Sequence, residues 1–465
     1  MPQRTAIVIL YALIAVSAGP GIAVALADAN ANSTPSSSEM SPSEWRRLQL
    51  QAADKSDRIM RDAQKFPSLL GQYAHMQDNY DANHERAFQV IFGQYLSWFQ
   101  TWIGDYDGAR ASFSIAQPPQ GDDGASPLAG DYRARPATEV ILEMAKDRKA
   151  VFFNEAHSAP ITRTLTIELL TALHEQGFNY FAAETLYDTD HGLQKRGYPT
   201  PKSGFYVNEP LYGEMVRTAL KLGFKVVAYD VEAAGVGDLR ERAGAESLYS
   251  QVFKKDPEAR LVVNAGFAHV QKTGKYLGGS SMGEFFRKIS GIDPLTIEQT
   301  MMIQHARPDQ DHPFYLAVMQ AQHPRQPIVF VGSDGKPWAL KPGQYDMSVV
   351  FPQAEDVKYR PDWLKLDGLR VDYAVSSELC RGKFPCMIEA RYAGEGEDAV
   401  AADRTVLDII DRKASTDQRM TFGHGEAQSR LFLRPGSYRL TATDRDNHTL
   451  FARDINIAAT AAAKP

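Results

Sequence analysis

Between residues 137 and 350 the chain alternates short apolar runs with stretches of helical periodicity, and few folds accept that pattern. The runs are KAVFF at 149–153, FNYFAA at 178–183, FKVVAY at 224–229, RLVVNA at 260–265 and PIVFV at 327–331. Each is apolar nearly throughout, as a strand buried on both faces must be. Between them lie ITRTLTIELLTALHEQG at 161–177 and LYGEMVRTALKLG at 211–223, each closing on a Gly where a helix stops. Repeated strand, helix, strand order predicts an α/β domain over residues 137–352, a mostly parallel sheet covered by helices.

The flanks have a different texture. From 44 to 118 apolar residues recur at spacings of three and four, as in Phe88, Ile91, Phe92 and Tyr95, which predicts a helical segment. We expect it to form a single amphipathic hairpin packed on the main domain. Residues 117–136, with QPPQGDDGASP, read as a loop. After residue 355, LRVDYAV at 369–375, CMIEARY at 386–392 and RPGSYRLTATD at 434–444 alternate apolar and polar positions. That alternation predicts an immunoglobulin-like β-sandwich over 356–458, an accessory module that could bind envelope polysaccharide.

Composition narrows the function classes. The 465 residues carry 51 basic and 57 acidic side chains for a net charge of -6, without the basic excess that nucleic-acid binding needs. Residues 1–27 hold Arg4, an apolar run, a Gly19-Pro20-Gly21 break and Ala25-Leu26-Ala27, the pattern of a cleaved signal peptide. Gly and Pro split the run well short of the roughly 20 residues needed to span a bilayer, so no stable membrane anchor is expected. Residues 28–43, rich in Ser, Pro and Asn, read as a disordered linker. The two cysteines, Cys380 and Cys386, are expected to form a disulfide in an exported, periplasmic or secreted protein.

The residues just beyond each strand carry the chemistry. The first run ends in Asn154-Glu155-Ala156-His157, the second in Glu184, the third in Asp230 and Glu232, and the fourth in Gly266-Phe267-Ala268-His269. The carboxyl ends of strands in an open parallel sheet face one crevice, where ligands bind. Any one of these residues alone reads as a turn former or helix cap. Together they would be costly to desolvate unless they bind something or pair. Arg163, six residues past His157, could steady a developing negative charge or pair with Glu155 or Glu184. His174 falls within a helix, and the stretch holding His305, His312 and His323 could wall the crevice.

The motifs NEAH at 154–157 and GFAH at 266–269 resemble the paired G-x-x-H motifs of the Tiki/TraB superfamily, with Asn154 in place of the first Gly. NEAHSAPITRTLTIELLTALHEQGFNYFAAET is similar to the opening of ChaN-like haem-binding lipoproteins and of erythromycin esterases: Glu-x-His, a long helix, then a strand ending in Glu. The Glu-to-His spacing is that of the ChaN opening, one residue shorter than in the esterases, and the resemblance covers about residues 137–300. It implies a metal-dependent protease on one branch, a His/Glu-assisted esterase on another and a haem-binding protein on the third. Carried over by motif, Glu155, His157, Glu184 and His269 form the functional set.

The leading expectation is an exported hydrolase acting on an ester or peptide bond of a small-molecule or peptide substrate. His157, His269, Glu155, Glu184 and Asp230 would hold zinc, manganese or iron, or the histidines and carboxylates would activate water directly. The alternative is a haem- or iron-ligand-binding protein, with His157, Tyr180, Tyr187 or Tyr206 as axial ligand.

Overall fold

Ser41 accepts a hydrogen bond from the Glu44 amide and Pro42 fills the first helical position, so the first helix, α1 (Pro42–Ala63), starts inside the expected linker. The computed structural model describes residues 40–230, 237–357, 360–408 and 428–459; the expected signal segment, most of the linker and Glu232 lie outside them. Three helices follow: α2 (Leu69–Asp81), α3 (Arg86–Trp102) and α4 (Tyr106–Ser112). Four helices therefore replace the expected single hairpin. The reason lies in α3, which is buried on nearly every side and so needs partners all round. Trp98 and Trp102 of α3 meet Phe205 edge-on, which joins this array to the core of the central domain.

The central elements run β1 (Arg133–Pro136), α5 (Ala137–Ala145), β2 (Ala150–Glu155), α6 (Ile161–Glu175), β3 (Tyr180–Ala183) and α7 (Pro210–Leu222). They continue with β4 (Lys225–Val227), α8 (Asp238–Gln251), β5 (Leu261–Gly266), α9 (Met282–Ser290), β6 (Leu295–Glu298), α10 (Pro313–Gln322), β7 (Ile328–Val331) and β8 (Met347–Ser348). Six strands form one sheet in the order β4-β3-β5-β2-β6-β8, every neighbouring pair parallel. All six residues of β2 and of β5 are buried, as their unbroken apolar runs require. Gly177 and Gly223 take positive φ just beyond α6 and at the end of α7, the conformation that lets each helix stop.

Two expectations about strands change. The run at 327–331 becomes β7, which pairs antiparallel with β1, a strand inside the expected 117–136 loop. An apolar run reports burial and not the identity of its partner. The fifth and sixth places in the sheet go instead to β6 and β8, whose short runs stand out poorly in hydropathy. Helices α6 and α7, with the helical array, cover one face of the sheet, and α8 and α9 cover the other.

The C-terminal strands are β9 (Val371–Ser376), β10 (Cys386–Tyr392), β11 (Asp403–Leu407), β12 (Gln428–Leu433), β13 (Gly436–Thr443) and β14 (Thr449–Ile457). They form an antiparallel four-stranded sheet, β11-β10-β13-β14, and a two-stranded sheet, β12-β9. Val375 and Leu431 from one share a core with Ile388 and Leu440 from the other. The expected disulfide, Cys380–Cys386, is present. No helix among the described residues is long and apolar enough to cross a membrane.

This module is tied to the central domain by buried charge. Arg217 on α7 gives paired hydrogen bonds to Glu395 at 2.6 and 2.8 Å, and Glu214 on the same helix meets Arg434 and Arg370. Within the module Asp403 pairs with Arg360 at 2.8 Å, while Arg404 reaches out to the Trp102 carbonyl of α3.

Candidate active site

The sheet order explains why residues far apart in sequence converge. Strands β3, β5 and β2 are neighbours, with Glu155 in register with Gly266 and Ala183 with Asn264. Their carboxyl ends lie about 4.8 Å apart laterally. Glu155, Glu184 and the two motif histidines are therefore delivered to one place.

Glu155 is 1% exposed and fully engaged. Its oxygens meet Arg163 Nη2 and Nε at 2.8 Å each, accept from Asn264 Nδ2 at 2.6 Å and face His157 Nδ1 at 2.9 Å. Burial alone would raise this acid, but the Arg163 guanidinium and the hydrogen bonds outweigh it and hold the carboxyl at about 2. With Nδ1 committed to Glu155, the Nε2 edge of His157 is turned toward Glu184 Oε2 at 3.8 Å. Arg163, 1% exposed, also meets Glu209 Oε2 at 2.8 Å, so of its two expected roles it fills the ion-pair one.

Glu184 bridges the two halves of the cluster. Its Oε2 accepts from the Gly266 amide at 2.5 Å, and its Oε1 accepts from Arg240 Nη2 at 2.9 Å and faces His269 Nε2 at 3.4 Å. Burial opposes its ionisation, yet His269, His157 and Arg240 together drive its acid well below the usual carboxylate range. His269 Nδ1 meets Glu241 Oε2 at 2.7 Å. Burial disfavours the imidazolium, but Glu241 and Glu184 outweigh it and push His269 up to about 10. At neutral pH His269 thus carries a proton on both nitrogens.

Asp230 joins the cluster through Arg240, which gives it hydrogen bonds at 3.2 and 2.8 Å. All six expected site residues, Glu155, His157, Arg163, Glu184, Asp230 and His269, belong to one buried network. Such a network is a poor source of stability, because desolvating the ions offsets their attraction.

Backbone geometry at the same strand ends is unusual. Thr185 follows Glu184 with φ 59°, and Phe267 follows Gly266 with φ 45°. Left-handed conformations at such residues each cost about 1–3 kcal/mol and persist where surroundings over-determine them. Gly266 itself is there for space. A Cβ on it would overlap His157 Nε2 and lie 2.9 Å from Glu184 Oε2.

Several members of the network were not evident from the sequence. Arg240 and Glu241 sit in the first turn of α8, a helix separated from the end of β4 by ten residues. Asn264 is a polar interruption in an otherwise apolar run, a readable signal. Glu209 caps α7 through the Leu211 and Tyr212 amides while holding Arg163, and Tyr106 of α4 donates to it at 3.0 Å. Tyr276 meets His269 Nε2 at 3.3 Å.

Other candidates fall elsewhere. Tyr180 begins β3 at the opposite end of the sheet, its hydroxyl accepting from Lys225. Tyr187 is half-buried beside the core. His305 pairs with Asp311 and His312 with Asp123, while His174 packs on Phe224 and His323 ends α10. In the turn after β13, ligand atoms of Asp444, Asp446 and His448 lie within 4.8 Å of one another, the geometry of a possible metal site. The His448 ring there already meets Asp444 at 3.1 Å.

No known protein family and no curated protein matches this sequence. Among solved structures, the effector domain RRSP of a MARTX toxin from Vibrio vulnificus CMCP6 is similar at 14% identity and a TM-score of 0.23, over 50% of this chain and 40% of that one. Two structures of bacterial protein toxins align at 15% and 13% identity with TM-scores of 0.28 and 0.27. These alignments cover 49% and 55% of this chain, which spans about half the length of each toxin chain, 52% and 47%.

Proposed function

We propose that the cluster is the active site of a hydrolase that cleaves an ester or peptide bond with His157 as general base. The observation that carries this reading is the 2.9 Å contact between His157 Nδ1 and a Glu155 carboxylate fixed by Arg163 and Asn264. A carboxylate on one imidazole nitrogen fixes the ring's tautomer and orientation and leaves the other nitrogen to take a proton from water. His269, protonated on both nitrogens, supplies fixed positive charge beside Glu184. Around the site, Glu155, Glu184, Glu209, Asp230 and Glu241 outnumber the cations Arg163, Arg240 and His269. That excess of negative charge favours a neutral acyl group over a phosphoester.

The reading is metal-free. A cation shared by Glu184 and His269 would compete with the Arg240 guanidinium, which lies 2.9 Å from one and 3.4 Å from the other. Glu155 and Asp230 are each engaged by an arginine. The donor set as it stands does not fit zinc, manganese or iron.

We place the central domain with the Tiki/TraB, ChaN-like and erythromycin esterase superfamily on its two motifs, and closer to the His/Glu hydrolases than to the metal or haem branches. Export is supported by the Cys380–Cys386 disulfide. The immunoglobulin-like reading of the C-terminal module rests on the shared core of its two sheets and on Tyr438, whose hydroxyl donates to the Arg434 carbonyl at 2.7 Å, as in a tyrosine corner.

The test is turnover of a panel of esters, lactones and peptides by full-length protein after exhaustive chelation. We expect hydrolysis that survives chelation and falls by about 10²–10⁴-fold in His157→Ala. Activity lost on chelation and restored by zinc or manganese would return the metal-dependent version. Full activity in His157→Ala would remove the site.

A further inference from the structure

Tyr206, on the turn between β3 and α7, is 1% exposed, and its hydroxyl has no hydrogen-bond partner among the described residues. Its ring stacks on the imidazole of His157, centroids 4.0 Å apart and planes at 21°. The neighbouring tyrosines differ. Tyr106 donates to Glu209, Tyr212 to the Glu184 carbonyl, and Tyr276 meets His269.

An unpaired buried hydroxyl is destabilising, because no hydrogen bond repays its desolvation. Phenylalanine would fill the same space and stack on the same imidazole without that cost. A ring needed only for packing therefore gives no reason for the oxygen.

The charged donors of the cluster and the Gly266 amide are committed. Arg163 is held by Glu155 and Glu209, Arg240 by Glu184 and Asp230, His269 by Glu241 and Glu184, and the Gly266 amide by Glu184. Burial first, and then the charges of Glu184 and Glu155, keep the Tyr206 phenol protonated far above its usual range. It is a donor held in reserve beside the proposed base.

We infer that Tyr206 Oη donates a hydrogen bond to the substrate's acyl oxygen and stabilises the oxyanion that forms there. This rests on the hydrolase reading. Water attacks the acyl carbon while His157 Nε2 takes its proton, and the carbonyl π electrons move onto oxygen, which Tyr206 meets. Collapse re-forms the carbonyl and breaks the bond to the alkoxy or amino leaving group, which receives the proton back from His157. Tyr206 keeps its own proton throughout.

The experiment is Tyr206→Phe in the full-length protein, assayed on whichever substrate of the panel the wild type turns over, with a phosphonate analogue of that substrate as inhibitor. We expect kcat to fall about 10²–10³-fold with KM little changed, and phosphonate binding to weaken by a comparable factor. Removing an unpaired hydroxyl should leave Tm unchanged or raise it. A kcat within threefold of wild type overturns the inference, and so does a lowered Tm, because the hydroxyl would then have a structural partner. A wild type that hydrolyses nothing on the panel instead defeats the hydrolase reading and this inference with it.

Discussion

Gly266 lets His157 and Glu184 approach each other, and any side chain there would stand between them. We expect Gly266→Ala to cost about 1–3 kcal/mol of stability through overpacking and to abolish turnover, both visible in one melt and one assay. A variant with wild-type activity would show that the two groups need not meet. Protonation gives a second residue-scale test. The folded value of His269, about 10, lies above its ordinary 6.5, so its contribution to stability is complete below about pH 6.5 and lost as pH rises through 10. Glu155, at about 2 in the fold against an ordinary 4.5, contributes above pH 4.5 and loses that contribution as pH falls toward 2. Urea unfolding should therefore give greatest stability between about pH 4.5 and 6.5. His269→Gln should flatten the alkaline limb, and a wild type that grows more stable from pH 7 to pH 9 would contradict the assignment. Five of the six expected site residues, Glu155, His157, Glu184, Asp230 and His269, were legible because each stands at or just beyond the end of a strand whose apolar run marks it, and Arg163 because it opens the helix that follows the first of them. Arg240 and Glu241 were not, because a helix beginning with charged residues looks like any solvated helix start.

Helix α7 organises the site at the level of elements. Its cap, Glu209, holds Arg163, which holds Glu155, which orients His157, while two turns on Glu214 and Arg217 grip the C-terminal module. Removing one partner of a buried ion pair costs about 3–5 kcal/mol. Glu209→Gln keeps the cap acceptor but drops the charge, and should lower Tm while cutting kcat more than it raises KM. An unchanged kcat in a folded Glu209→Gln would mean that Glu155 is positioned without this chain of contacts. The strands β2 to β5 and the helices α6 and α7 were readable from periodicity; α8 was not. The exchange of β7 for β6 and β8 in the sheet was not, because pairing is decided by tertiary packing that a local apolar run does not encode.

Across the whole molecule, the helical array, the sheet and the C-terminal strands share one aromatic and aliphatic core, with Trp98, Leu165, Val400 and Phe432 among its members. Composition suggested separable modules joined by loops. The buried charges Glu214 and Arg217 instead find partners across the module boundary. A chain ended near residue 352 would leave Glu214 and Arg217 without Arg370, Arg434 and Glu395, so it should be insoluble or lack a cooperative melt. A stable, active truncation would make the C-terminal module the independent accessory that sequence alone suggested.

The most direct test of the central claim is a double-mutant cycle on kcat/KM with Glu155→Gln, His157→Ala and the pair combined. If carboxylate and imidazole act as one unit, each single variant loses nearly as much as the double. Losses that add, or a Glu155→Gln variant as active as the wild type, would contradict it.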